Sequence, residues 1–266
     1  MTGSDGQDLA VRRETIKTLV LQDGFARIDD LTKLLGVSLM TVHRDLDALA
    51  HQGYLTKIRG GATANPNALL EARVPERVAA MHHEKTAIAA HAAKLLAPGQ
   101  TVFIDDSTTA MAMVPHLIAS APITVATNFL PVIGKLAGVP GVELIVLGGV
   151  YHSVPEACFG SRTVENIGQL HADLALMSTT GITGVSCYHR SEITVTSRMA
   201  FLANATTNVL LVDHAKFGRP ATYLLCKLTT FDLVITDTGI DPEDELLLRS
   251  EGINLELAAP PSHHSR

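Results

Sequence analysis

No tryptophan occurs in this chain, and seven phenylalanines with four tyrosines bring the aromatic share to only 4%. Alanine, valine, isoleucine and leucine supply most of the 46% hydrophobic content. That aliphatic bias fits α/β packing better than an all-β sandwich. Cysteine is scarce too. Cys158, Cys187 and Cys226 are odd in number, far apart and in no CxxC pairing. This argues against a disulfide framework or a thiolate zinc site and points to a reducing cytoplasm. No apolar run approaches the ~18–20 residues of a membrane span, so no membrane partner is expected. Residues 1–8 are polar, carry two acids and lack the apolar segment of a signal peptide. The twelve histidines show no HxH or HExxH spacing beyond the adjacent His82 and His83. No metal or other cofactor is therefore expected; His152, His189, His214 and Arg190 are polar residues near loops, and the histidines read as solvated or capping.

A length of 266 residues suits about two domains. The net charge of −6 would by itself argue against a nucleic-acid partner, but it is unevenly spread. Residues 9–63 hold eight basic against six acidic side chains, and residues 64–266 hold thirteen against nineteen. A basic module joined to an acidic one is the expected organisation.

The basic module reads as three helices. In 12–22, Ile16, Leu19 and Val20 share a face, with Asp23-Gly24 as a stop. A second helix is expected to start at Asp29 as N-cap, to carry Leu31, Leu34 and Leu35, and to break at Gly36. A third follows Ser38 and sets Val42, Leu46 and Leu49 in one stripe, ending near Gln52-Gly53. Residues 54–59 then read as a strand closed by Gly60-Gly61. Two helices joined by Gly36-Val37-Ser38 have helix-turn-helix spacing, which places the second helix in the major groove. Burying Val42, Leu46 and Leu49 leaves Met40, His43, Arg44, Asp47 and His51 outward, with Thr41 at the flank. Arg44 is suited to a guanine edge or a phosphate, and Ser38 and Thr41 to phosphates at the helix start. Lys57 and Arg59 would form a wing against the backbone or the minor groove.

Residues 64–80, with Asn65-Pro66-Asn67 and Pro75, read as a linker with room for a short helix. An amphipathic helix over 84–96 stops at Pro98-Gly99. Beyond it, aliphatic runs at 102–104, 123–126, 144–147, 174–177, 209–212, 233–235 and 253–257 alternate with helical stretches. Continuous Val/Ile/Leu runs in that alternation predict a mostly parallel open α/β sheet covered on both faces. The tail, 260–266, reads as frayed. In such a sheet, ligands sit outside the carboxyl ends of the strands. The runs are followed there by Asp105-Asp106-Ser107-Thr108-Thr109, Thr127-Asn128, Gly148-Gly149, the 178–181 segment and the 213–216 segment. Hydroxyls and N–H groups at a helix start, with a lysine nearby, suit a phosphate. Taken singly, a Ser-Thr-Thr run is also a plain N-cap and Gly-Gly a plain turn.

The stretch 31–62, with Leu-Gly-Val-Ser, Thr-Val-His-Arg-Asp-Leu and Ile-Arg-Gly-Gly-Ala, resembles the N-terminal signature of DeoR-type transcriptional regulators, and the resemblance covers most of 12–240. Where that family commonly has two adjacent arginines, this chain has His43 and Arg44. The resemblance implies a winged helix-turn-helix over 9–63 and an α/β effector domain over 81–258, similar in fold to ribose-5-phosphate isomerase and glucosamine-6-phosphate deaminase. It implies a double-stranded DNA operator, a phosphorylated sugar as effector and a homo-oligomer, dimer or tetramer. The effector positions carried over are Asp105, Ser107, Thr108, Thr109, Thr127, Asn128, Gly148, Gly149, Gly181, Asp213 and Lys216. Ser107 stands where the family usually has glycine. A repressor of a sugar-metabolism operon is the expected function. The alternative is a sugar-phosphate isomerase-like enzyme with a DNA-binding head, for which Asp105, Asp106 or Asp213 would have to serve as general base. No catalytic segment like those of the enzymes is recognised, so no catalytic residue is assigned.

Overall fold

The computed structural model of the chain describes residues 4–23, 25–51, 54–64 and 73–259. The expected stops at Gly24 and Gln52-Gly53, the Asn65-Pro66-Asn67 segment and the 260–266 tail lie outside the described residues. The chain divides into two compact units at the His82–His83 bond.

In the first unit, helix α1 (Ser4–Asp23) starts earlier than its apolar face predicts. A short strand, β1 (Phe25–Arg27), then hands over directly to α2 (Ile28–Leu35). The N-cap is therefore Arg27 rather than Asp29. Ile28 is drawn inward as a core residue, which moves Asp29 and Asp30 into the first turn, where acids complement the helix dipole. Gly36 closes α2 in the left-handed region at φ 62°, its N–H donating to the Thr32 carbonyl, a conformation a side chain would strain. Helix α3 (Leu39–His51) follows, and the Ser38 hydroxyl accepts the Thr41 N–H at 3.2 Å.

The wing is a hairpin of β2 (Leu55–Ile58) and β3 (Gly61–Ala64), and β3 also pairs with β1. Gly61 opens β3 instead of closing the strand before it. Ile16, Val20, Ile28, Leu31, Val42, Leu46, Leu49, Leu55 and Ala62 form the core of this unit. Part of the expected linker is helical, as α4 (Val74–Ala79), with Val74 buried and Glu76 accepting from Lys17 of α1.

The second unit begins within the first turn of α5 (His82–Ala92) and holds a seven-stranded, all-parallel sheet. Its strands are β4 (Thr101–Ile104), β5 (Ile123–Thr127), β6 (Val142–Val146), β9 (Ala172–Met177), β12 (Ala205–Leu211), β14 (Leu233–Asp237) and β15 (Leu255–Ala258). They lie in the order β15-β14-β12-β9-β4-β5-β6. Each of the seven aliphatic runs read from the sequence contributes one of them. The order reverses at β4, and ligands of open α/β sheets collect at such a switch point. Two antiparallel additions escaped the aliphatic pattern: the hairpin β7 (Val150–His152) with β8 (Ala157–Phe159), and a sheet of β10 (Gly181–Thr183), β11 (Ser186–His189) and β13 (Tyr223–Lys227). Their strands are three to five residues long and mixed in polarity, so neither periodicity nor run length marks them.

Candidate functional site

The outward face of α3 carries the residues expected there. Met40 is 66% exposed, Ser38, Arg44, Asp47 and His51 are exposed, and Thr41 and His43 are half-buried at the flanks. The Ser38 and Thr41 hydroxyls lie 2.9 Å apart, a polar pair at the helix start. Arg59 is exposed at the wing tip. Lys57 is not a free wing cation: its ammonium pairs with Asp47 of α3 at 2.6 Å, so an acid on the recognition face occupies it. The next acid inward, Asp45, is 1% exposed and accepts from Arg12 Nε at 2.6 Å and Arg13 Nε at 2.8 Å. Two of the module's eight basic side chains therefore fasten α1 to α3, leaving Arg44 and Arg59 as the exposed cations of the face and the wing.

In the second unit, the polar strand ends separate into structural groups and candidate ligand groups. Asp105 is fully buried. Its Oδ1 accepts the Ser107 N–H at 3.0 Å, and its Oδ2 accepts the Ser178 N–H at 3.0 Å and meets Arg198 at 3.1 Å. Arg198, 2% exposed on the helix Glu192–Ala203, also holds Asp106 at 3.1 Å and donates to the Ser178 carbonyl at 2.6 Å. Burial pushes the Asp105 carboxyl up, and the Asp106 charge adds to this while Arg198 opposes it. Burial acts to lower Arg198, but the two carboxylates outweigh it and hold the guanidinium firmly charged. Asp105 thus accepts from three internal donors and fastens β4 to β9, a structural role at one of the expected ligand positions.

The helix after it, α6 (Thr108–Met111), is a single turn, and the Ser107 hydroxyl is spent capping it by accepting the Ala110 N–H at 3.0 Å. Thr108 and Thr109 are buried, and Thr108 Oγ1 accepts from the buried Lys85 at 3.2 Å. Thr127 accepts the Phe129 N–H at 3.1 Å. The Asn128 amide donates to the Cys158 carbonyl at 2.8 Å, while its Oδ1 is buried with no donor among the described residues. Gly148 and Gly149 join β6 to β7, and the Gly148 carbonyl accepts from Thr163 at 3.0 Å.

Three further segments meet around Asp213. Gly181 opens β10 against the Arg219 carbonyl, so close that a Cβ would sit 2.1 Å from that oxygen. Asp213 is 1% exposed, and neither carboxylate oxygen receives a hydrogen bond from the described residues. Burial pushes Arg219 down to about 10; the Asp213 charge opposes this and the Arg190 charge adds to it, so all three groups feel one another. His214 is more than a solvated loop residue. Its Nδ1 pairs with Asp237 at 2.7 Å, and its N–H donates to the other Asp237 oxygen at 2.8 Å. The Asp237 bond raises His214, and burial only partly offsets this. Lys216 is half-buried on the 3-10 turn His214–Lys216.

The model of the DeoR-like helix-turn-helix domain matches residues 12–68, and that of the DeoR C terminal sensor domain matches 80–238. The chain belongs to the DeoR family. It is 31% identical to the HTH-type transcriptional regulator GolR of Listeria innocua, over 93% of this chain and 98% of that protein. It is 30% identical to the glycerol-3-phosphate regulon repressor of Escherichia coli, over 92% and 98% respectively. Among solved structures, the Pyrococcus horikoshii translation initiation factor eIF-2B is similar at TM-score 0.43 and 14% identity, over 85% of this chain and 84% of that one. Ribose 5-phosphate isomerase A of Methanocaldococcus jannaschii is similar at TM-score 0.37 and 14% identity, over 50% and 53%.

A DeoR-family chain is a DNA-binding transcriptional regulator with a small-molecule sensor, so the isomerase reading falls away. Three residues central to its geometry went unread in the sequence, and all three leave the same trace. Asp45 sits in the stripe Val42, Asp45, Leu46, Leu49; Lys85 in Lys85, Ile88, Ala89, Ala92; Arg198 in Thr194, Arg198, Phe201, Leu202. A charged residue at i, i+3, i+4 or i+7 of an apolar face must be buried with a partner.

Proposed function

We propose that this DeoR-family protein is a cytoplasmic, homo-oligomeric repressor of a sugar-metabolism operon, and that a phosphorylated sugar bound at the C-terminal strand ends weakens its grip on its operator. The observation that carries the effector reading is the Asp213 carboxylate, buried beside Arg219 with no donor among the described residues. A buried acceptor left unpaired costs about 1–3 kcal/mol, and more when charged. Sugar hydroxyls would supply the missing donors to Asp213 and to Asn128 Oδ1. Lys85, Arg190, Arg219 and Lys216 supply the positive charge an anionic group needs, and Thr108 and Thr109 supply hydroxyls. This site relies on side-chain cations more than on the one-turn helix α6. The operator reading in turn calls for self-association, because dimers of a helix-turn-helix read paired half-sites. The 64–80 connector, whose α4 is held to α1 through Glu76 and Lys17, is the covalent route for coupling.

Calorimetry with ribose 5-phosphate against ribose, and glucose 6-phosphate against glucose, tests the reading. At least one phosphate ester should bind where its parent sugar does not, and Lys216→Ala should weaken the ester while leaving ligand-free DNA binding intact. A ligand that lowers operator affinity tenfold must itself bind the DNA-bound form tenfold more weakly, about 1.4 kcal/mol of coupling. Equal affinity for ester and parent sugar would refute the anion site.

A further inference from the structure

The small sheet β10–β11–β13 carries two cysteines that neither DNA nor effector recognition uses. Cys187 on β11 and Cys226 on β13 are direct cross-strand partners, and the ladder slips between Cys187 and Tyr188. Cys187 is fully buried in the core of the unit, while Cys226 is half-buried at its margin. The two thiols act on one another, an interaction that raises Cys187 and lowers Cys226. Opposed Cβ atoms on neighbouring strands lie about 4.5–5.5 Å apart. A disulfide needs about 3.5–4.5 Å, a small closure at a place where the ladder is already irregular. The third cysteine, Cys158, lies on the separate hairpin strand β8.

We infer that Cys187 and Cys226 form a thiol–disulfide modification site that takes a low-molecular-weight disulfide, such as glutathione disulfide, as its oxidant. Cys226 is the attacking group because it is the half-buried member of the pair, whereas Cys187 is fully enclosed. The hydrogen bond from Cys187, with a further one from Thr230, outweighs burial and holds its pKa below the usual 9.0. Its thiolate attacks one sulfur of glutathione disulfide, forming a mixed disulfide on Cys226 and releasing one glutathione thiolate. That thiolate takes the Cys187 proton as the Cys187 sulfur attacks Cys226 Sγ. The mixed disulfide breaks, and the second glutathione leaves and takes up the proton first lost from Cys226. Two protein thiols become one disulfide, and one glutathione disulfide becomes two glutathiones. The new bond ties β11, which runs into Arg190, to β13, which follows Arg219, and so bears on the segments around Asp213. That consequence rests on the effector reading; the bond does not.

The test uses the full chain, reduced, freed of reductant and exposed to glutathione disulfide. Free thiols should fall from three to one. The intact mass should drop by two hydrogens with no glutathione retained, and digestion should yield a peptide pair joined through Cys187 and Cys226. Dithiothreitol should restore three thiols. Cys158→Ser should leave the reaction unchanged, and Cys226→Ser should abolish it. Three thiols persisting, a stable glutathione adduct on Cys226, or a bond to Cys158 would each overturn the proposal. The peptide map on the unmodified sequence decides even if Cys226→Ser folds poorly.

Discussion

Replacing Arg198 by leucine tests whether the first acidic strand end is structure or ligand site. The guanidinium touches both buried carboxylates at 3.1 Å and the Ser178 carbonyl at 2.6 Å, in a place where all the side chains are at most 5% exposed. Leucine roughly keeps the apolar stem but leaves Asp105 and Asp106 as uncompensated buried charges. Breaking a buried pair from one side costs about 3–5 kcal/mol. For a unit of this size that is a fall in Tm of roughly 6–20 °C. Scanning calorimetry of the full chain should show this loss in the transition of the sensor unit and leave that of the helix-turn-helix unit in place. Adding Asp106→Asn should recover part of it, a coupling of ~0.5–3 kcal/mol, because one of the stranded charges is removed. A shift below about 2 °C, or no coupling between the two substitutions, would refute the buried network around Asp105.

The remaining expectations concern the DNA face and pH. Arg44→Ala should cost about 1–3 kcal/mol on a specific site and relax discrimination. An unchanged ratio of specific to non-specific affinity in a mobility-shift titration would show that the recognition face lies elsewhere. Asp47→Asn should release Lys57 toward phosphate and steepen the slope of log affinity against log salt by about one. An unchanged slope would mean the Lys57–Asp47 pair persists or does not face DNA. The His214–Asp237 pair sets a pH window. His214 is raised above its ordinary 6.5 by the Asp237 bond, so its contribution is complete below 6.5 and fades as pH climbs through the raised value. Burial alone would raise Asp237, but the bonds from His214 and the Gly239 N–H hold it below 3.8; its contribution is present above 3.8 and fades as pH falls through the lowered value. Sensor Tm should therefore be highest between the two, and His214→Gln should flatten the alkaline limb. An identical alkaline limb in the variant would exclude this pair as its source.

Local and periodic features were legible in the chain itself. Val42, Leu46 and Leu49 oriented α3, Gly36 marked a left-handed turn, and seven aliphatic runs announced seven parallel strands, because a strand buried on both faces has no polar side to display. The short antiparallel strands β1, β7, β8, β10, β11 and β13 left no such mark: a three- to five-residue strand is decided by what lies beside it. The same division runs through the sites. That Asp45, Lys85 and Arg198 are buried follows from their place in apolar stripes, yet their partners lie 33, 23 and 92 residues away, at Arg12, Thr108 and Asp106. Asp105 and Asp213 both follow an aliphatic strand and look alike in sequence. Only tertiary packing brings the Arg198 guanidinium to Asp105, while among the described residues neither Asp213 oxygen receives a hydrogen bond, because a hydrogen bond depends on a few tenths of an ångström between segments that are distant along the chain.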